Sequence, residues 1–106
     1  MEIKMAEEIS VFDSEEFERL VSDKDIRISN ALVDTVLKNL KGRKRQIHAL
    51  SIMVEQDQMV YDITIDRKEF VSTLENSLPI YEEVEEFEKC AEIFKAIKFI
   101  KTKPKR

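Results

Sequence analysis

The spacing of apolar residues changes twice between Leu40 and Asp66, and these changes constrain the fold more than any other feature of the chain. Before Gly42, the residues Leu32, Val33, Val36, Leu37 and Leu40 recur at three and four positions, which predicts an amphipathic helix over about 30–41. Residues 46–65 are instead rich in Ile, Val, Thr and Tyr around a polar Glu55-Gln56-Asp57-Gln58. They read as an antiparallel β-hairpin with strands near 46–54 and 59–65. On the second strand Met59, Tyr61, Ile63 and Ile65 share a face expected to be buried, while Val60, Asp62 and Thr64 share the wetter one. After Asp66 the helical period returns. The fold class is therefore α+β: four helices packed with one antiparallel β-hairpin, with room for a short extra N-terminal edge strand at Ile9 to Phe12.

The helix starts are written in capping residues. Asp13 with Glu16 three positions on, and Asp66 with Glu69, both read as capping boxes. Phe12 with Phe17, and Ile65 with Phe70, are placed as the matching hydrophobic staples. Helices are expected near 14–22 and 67–77. Gly42, the only glycine, follows the last stripe residue and reads as a left-handed helix cap. After Pro79 a last helix is expected over about 80–100, with Ile80, Val84, Phe87, Ala91, Phe94 and Ile97 facing inward and Glu85 paired with Lys89. One α+β domain over 1–100 is expected, followed by a basic flexible tail at 101–106.

A chain of 106 residues suits one core. Its charged fraction of 38% lies well above the ~25% average of globular domains, so the surface is heavily charged. Cys90 stands alone, the N-terminus lacks the basic and apolar parts of a secretory signal, and no apolar run is long enough to span a bilayer. These features point to the cytoplasm and to no membrane partner. The net charge of −4 divides into blocks. Residues 1–25 and 82–92 are acidic, while 38–48 and 93–106 are basic.

Few side chains offer chemistry. His48 and Cys90 are too few for a zinc site, and the single glycine sits among cations rather than in a calcium loop, so no metal and no cofactor are expected. Cys90 beside Ala91 reads as a small buried hydrophobe, and His48 as a strand residue with no nucleophile pattern to serve. Asp66-Arg67-Lys68 at a strand end resembles the metal site of restriction-endonuclease-like nucleases. That resemblance implies a Mg²⁺ held by Asp66 and an upstream acid, Glu55 or Asp57, with Lys68 steadying the attacking water. The family has a larger mixed sheet than the two strands expected here, and Asp66 is also explained as a helix cap. The segment Glu86-Phe87-Glu88-Lys89-Cys90-Ala91-Glu92-Ile93 resembles the second helix of the UVR motif, a helical hairpin for protein–protein contact in excision repair. Phe94-Lys95 stands where that family has Arg-Asp, and Cys90 where it prefers alanine, so no residue role carries over.

Lysines ending a helix follow its dipole, but Arg43, Lys44 and Arg45 lie past the cap and no acid occurs between Thr35 and Val54. Lys41, Arg43, Lys44 and Arg45 are thus the candidate contacts for an anionic partner. No catalytic residue is assigned. The expected function is a small non-enzymatic binding protein (a regulator, inhibitor or accessory subunit) acting through protein–protein contact, with a homo-oligomer compatible. Size, acidity and the want of a site are shared with phage-encoded inhibitors and host-machinery adaptors. The alternative is nucleic-acid binding by the 41–45 loop and the C-terminal tail, and the remote one is a Mg²⁺-dependent nuclease using Asp66 and Lys68.

Overall fold

The computed structural model describes residues 7–23 and 25–102. Three strands, β1 (Glu7–Val11), β2 (Gln46–Val54) and β3 (Met59–Asp66), form one sheet in the order β1-β2-β3. β2 and β3 are the expected antiparallel hairpin, whereas β1 pairs parallel to β2, with Glu7 opposite Leu50 and Val11 opposite Val54. The helices are α1 (Ser14–Ser22), α2 (Ile26–Lys38), α3 (Phe70–Glu83) and α4 (Phe87–Thr102). A single 3₁₀ turn, Arg67–Glu69, leads from β3 into α3. The α+β class holds, and the N-terminal strand makes the sheet mixed rather than a lone hairpin.

The helices cover one face of this sheet. Ile9, Val11, Ile47, Leu50, Ile52, Val54 and Ile65 point into the core with Val33 and Val36 of α2 and Phe70 and Leu74 of α3. The opposite face, bearing Ser10, His48, Met53, Val60, Asp62 and Thr64, is exposed. A β-bulge between His48 and Leu50 leaves Ala49 without a cross-strand partner and resets the alternation. Ile47 and Leu50 therefore both face inward, and His48 is turned out. The expected inner face of β3 is fully covered only at one end: Ile65 is buried and Ile63 partly so, but Met59 and Tyr61 stay exposed, Tyr61 meeting only the edge of α1.

Local chemistry explains most element boundaries. Asp13 accepts from the Glu16 N–H at 3.0 Å, and Glu16 Oε1 accepts from the Phe12 N–H at 2.8 Å, which closes the expected box one residue early. The staple does not form as expected: Phe12 is 61% exposed, and Phe17 stacks on Tyr61 with ring centroids 4.9 Å apart. α2 begins four residues before the expected position because Asp25 caps it, accepting from the Arg27 N–H at 2.8 Å. The Arg27 guanidinium returns to the same carboxylate at 3.0 and 3.3 Å and holds it below the usual carboxylate range. α2 ends at Lys38 with Asn39 as its cap, and Gly42 has no positive φ, so it is not the left-handed cap expected of it.

The break expected at Pro79 is also absent. α3 continues through the proline to Glu83. Pro79 lies on the exposed side, so the lost N–H bond leaves a carbonyl that water can reach. Two residues on, Tyr81 is 1% exposed and its hydroxyl donates to Asn30 Oδ1 at 2.6 Å, which holds that turn against α2. The chain reverses at Val84–Glu86 instead. The Glu86 N–H donates to the Tyr81 carbonyl and the Glu85 N–H to that of Glu82, with Glu85 itself left-handed at φ 60°. This is a Schellman ending with glutamate where glycine is usual.

α4 then packs antiparallel on α3, with Lys101 reaching Glu75 at 3.6 Å. Its inner face is Cys90, Ile93 and Ala96, flanked by Ile97 and Ile100. Val84, Phe87, Ala91 and Phe94, expected inside, are exposed. Lys89 pairs with Asp34 of α2 at 2.8 Å rather than with Glu85, which the reversal carries away. Helix α4 takes up Lys101 and Thr102 of the expected tail, whose remainder, 103–106, lies outside the described residues.

Candidate interaction surfaces

Lys41, Arg43, Lys44 and Arg45 all lie exposed on the connection between α2 and β2. None of them forms an ion pair with another described residue. The connection itself is held from below by Arg67, whose part in it sequence reasoning missed. Arg67 Nε donates to the Lys44 carbonyl at 2.6 Å and Nη1 to the Asn39 carbonyl at 2.8 Å. Its backbone N–H bonds the Arg45 carbonyl at 2.6 Å, and its guanidinium lies 4.9 Å above the Phe70 ring. Nη2 is buried and has no hydrogen-bond partner among the described residues. The four cations therefore project from a backbone tied to the start of α3. The contacts join positions more than twenty residues apart, and no local spacing announces them.

The residues of the nuclease-like motif are not brought together. Asp66 and Met59 stand at the two ends of β3, roughly 23 Å apart at ~3.3 Å per residue, and Glu55 and Asp57 lie beyond Met59 in the turn. Neither acid can share an ion with Asp66. The Asp66 carboxylate instead accepts from the Lys68 N–H at 3.1 Å and caps the 3₁₀ turn, while Glu69 makes no side-chain cap. Among the described residues, no three His, Cys, Asp or Glu side chains converge as metal ligands would.

On the open sheet face the bulge sets His48 beside Ser51 and, across β3, Asp62. His48 Nε2 is 3.1 Å from Ser51 Oγ and 3.5 Å from Asp62 Oδ1, and Ser51 Oγ lies 2.7 Å from the same carboxylate oxygen, to which it donates. In a serine–histidine–aspartate relay the carboxylate holds one ring nitrogen while the serine addresses the other. Here both partners meet the same nitrogen and the serine proton is directed to Asp62. The trio ties β2 to β3 and does not present Ser51 with a base. Cys90 is buried, as a small hydrophobe would be.

The other prominent surface is the hairpin end. Among the described residues β3 is an edge strand, paired on one side only. Met59, Val60 and Tyr61 on it, Met53 beside it and Phe12 near the end of β1 are all exposed large apolar residues. Asp57 and Asp62, exposed acids, stand just before and just after the run Met59 to Tyr61 in sequence, and Glu55 is exposed in the same turn. The strand alternation was legible in the sequence; that the helices would leave Met59 and much of Tyr61 uncovered was not. Elsewhere, an open apolar groove of about 420 Å³ lies between α2 and α4, lined by Leu37, Leu40, Ala96 and Phe99 with Lys41 and Lys95 at its rim.

No described helix is long and apolar enough to cross a membrane. Comparison of the chain with protein-family models, with curated proteins and with solved structures found no match in any of the three.

Proposed function

We propose that this chain is a small, non-enzymatic binding protein that acts through protein–protein contact at the outer edge of β3. The observation that carries this reading is a strand at the sheet edge among the described residues, bearing large exposed apolar residues, Met59, Val60 and Tyr61, with the exposed acids Asp57 and Asp62 near them in sequence. Unpaired strand edges take up an extended partner segment by main-chain hydrogen bonds, and side-chain contacts give specificity. The partner of this edge is a segment with alternating apolar residues and flanking cations. Regulator, inhibitor and accessory subunit are all roles such a contact serves, and the cytoplasm remains the proposed location.

A second reading is kept because of one observation: Lys41, Arg43, Lys44 and Arg45 are exposed, without ion pairs among the described residues, on a connection tied down by Arg67. Such a patch suits the phosphates of a nucleic acid. Affinity capture from the source cell, repeated after nuclease digestion, separates the two. A protein that survives digestion, is lost with Val60→Lys and is kept when Arg43, Lys44 and Arg45 are all changed to Glu supports edge binding. Material that is lost on digestion and with the triple charge reversal overturns it in favour of nucleic acid.

A further inference from the structure

We infer that α4 forms the interface of a two-fold homodimer, packed antiparallel on α4 of a second copy. The helix has two apolar faces and the fold uses one. Cys90, Ile93 and Ala96 are buried against the body, whereas Phe87 and Phe94 remain 65% and 56% exposed. These two phenylalanines, Ala91 between them and Lys98 after them repeat at four, three and four residues, so they share one stripe.

The two phenylalanines flank Ala91, four residues before it and three after. A two-fold axis near Ala91 sets Phe87 of one copy beside Phe94 of the other, twice, with an offset of about 1.5 Å along the helix, and brings the two Ala91 residues together where a small side chain lets the backbones approach. Charge selects the same arrangement. Glu88 and Lys95 are seven residues apart on one flank of the stripe, both exposed, and neither is in an ion pair with a described residue. Antiparallel pairing sets Glu88 of each copy against Lys95 of the other, and directs each Lys98 toward the acidic turn around Glu83 and Glu85 of its neighbour. A parallel pair sets this flank of one copy against the other flank of its neighbour, so neither Glu88–Lys95 pair forms. An unrelated partner would have to supply this pattern by coincidence, whereas a second copy carries it already.

A helix of 16 residues is roughly 24 Å long, so the contact is small and belongs with the weaker, concentration-dependent interfaces. The test is sedimentation equilibrium of the full chain from low micromolar to submillimolar concentration. The parent should reach the two-chain mass, and Phe94→Glu should stay monomeric with the circular dichroism of the parent. E88K and K95E should each weaken association by about tenfold or more, since each sets like charges at both meetings. Mixing the two, or combining them in one chain as E88K/K95E, should restore it. A parent that is monomeric throughout overturns the proposal. So does a dimer that Phe94→Glu or the single charge variants leave intact, and so does a double variant that fails to recover, because each places the contact elsewhere or in another orientation.

Discussion

Gly42 and Arg67 are in contact: a Cβ on Gly42 would stand 3.1 Å from Arg67 Nη2, in a guanidinium already held by the Asn39 and Lys44 carbonyls and the Phe70 ring. Because the φ of Gly42 is not positive, alanine fits the backbone there, and the space taken by Arg67 decides the outcome. Gly42→Ala should cost about 1 kcal/mol in the parent through overpacking. With Arg67→Ala, which itself should cost ~2 kcal/mol by stranding two carbonyls, the same change should stabilise by about 0.5 kcal/mol. A double-mutant cycle in urea reads this change of sign, and equal effects in the two backgrounds would refute the contact.

Burial, and then the nearby Asp34 and Glu86 carboxylates, push the Tyr81 phenol above its ordinary value of 10.0. The sign follows from proton counting. Above pH ~10 the unfolded chain releases this proton while the folded one retains it, so stability is complete below pH 10 and falls as pH rises past it. Tyr81→Phe should lose about 1 kcal/mol at neutral pH, with the bond to Asn30, and should flatten part of the alkaline decline. Chemical denaturation at a series of alkaline pH values provides the check.

Glu85 holds a left-handed backbone at φ 60°. Side chains with a Cβ pay ~1 kcal/mol for that conformation and glycine does not. Glu85→Gly should therefore stabilise the protein by about 1 kcal/mol, while Glu85→Ala should give no comparable gain. Thermal melts of the two variants at low protein concentration separate this backbone effect from any change in association.

Asp66 is explained as a cap, so Asp66→Ala should cost on the order of 1 kcal/mol, and Asp66→Asn or Asp66→Ser much less. Equal losses for all three substitutions in urea titrations would show that the bond to the Lys68 N–H contributes little.

Where local rules act alone, they were legible in the sequence. α1 has its expected bounds because Asp13 and Glu16 act over four residues, and the hairpin lies where alternation begins and ends. The helix faces were harder to read. In α4 apolar periodicity is satisfied by two stripes, and the heavier one, Phe87 and Phe94, was expected inside. The fold covers the lighter stripe, Cys90, Ile93 and Ala96, because small residues let α4 lie close to its neighbours. The basic loop was visible as a run of cations, but its support was not. Arg67 reaches it from a position next in space and remote in sequence. Asp25 carries a weaker capping signal than Asp13, since Ile28 rather than Glu or Gln stands three residues beyond it.

The parallel pairing of β1 with β2 also sets an order of events in time. Glu7 lies opposite Leu50, so during synthesis β1, α1 and α2 all precede the central strand against which they pack. The β2–β3 hairpin and the α3–α4 pair close over short stretches of chain, whereas β1 must wait for a contact across some forty residues, a slower closure. Pulse-labelled hydrogen exchange during refolding should find the amides of Ile52 and Ile63 protected before that of Ile9. β1, the first of the described strands, is then the last of them to join the sheet, and until it arrives both borders of the hairpin stand open to any other extended peptide nearby.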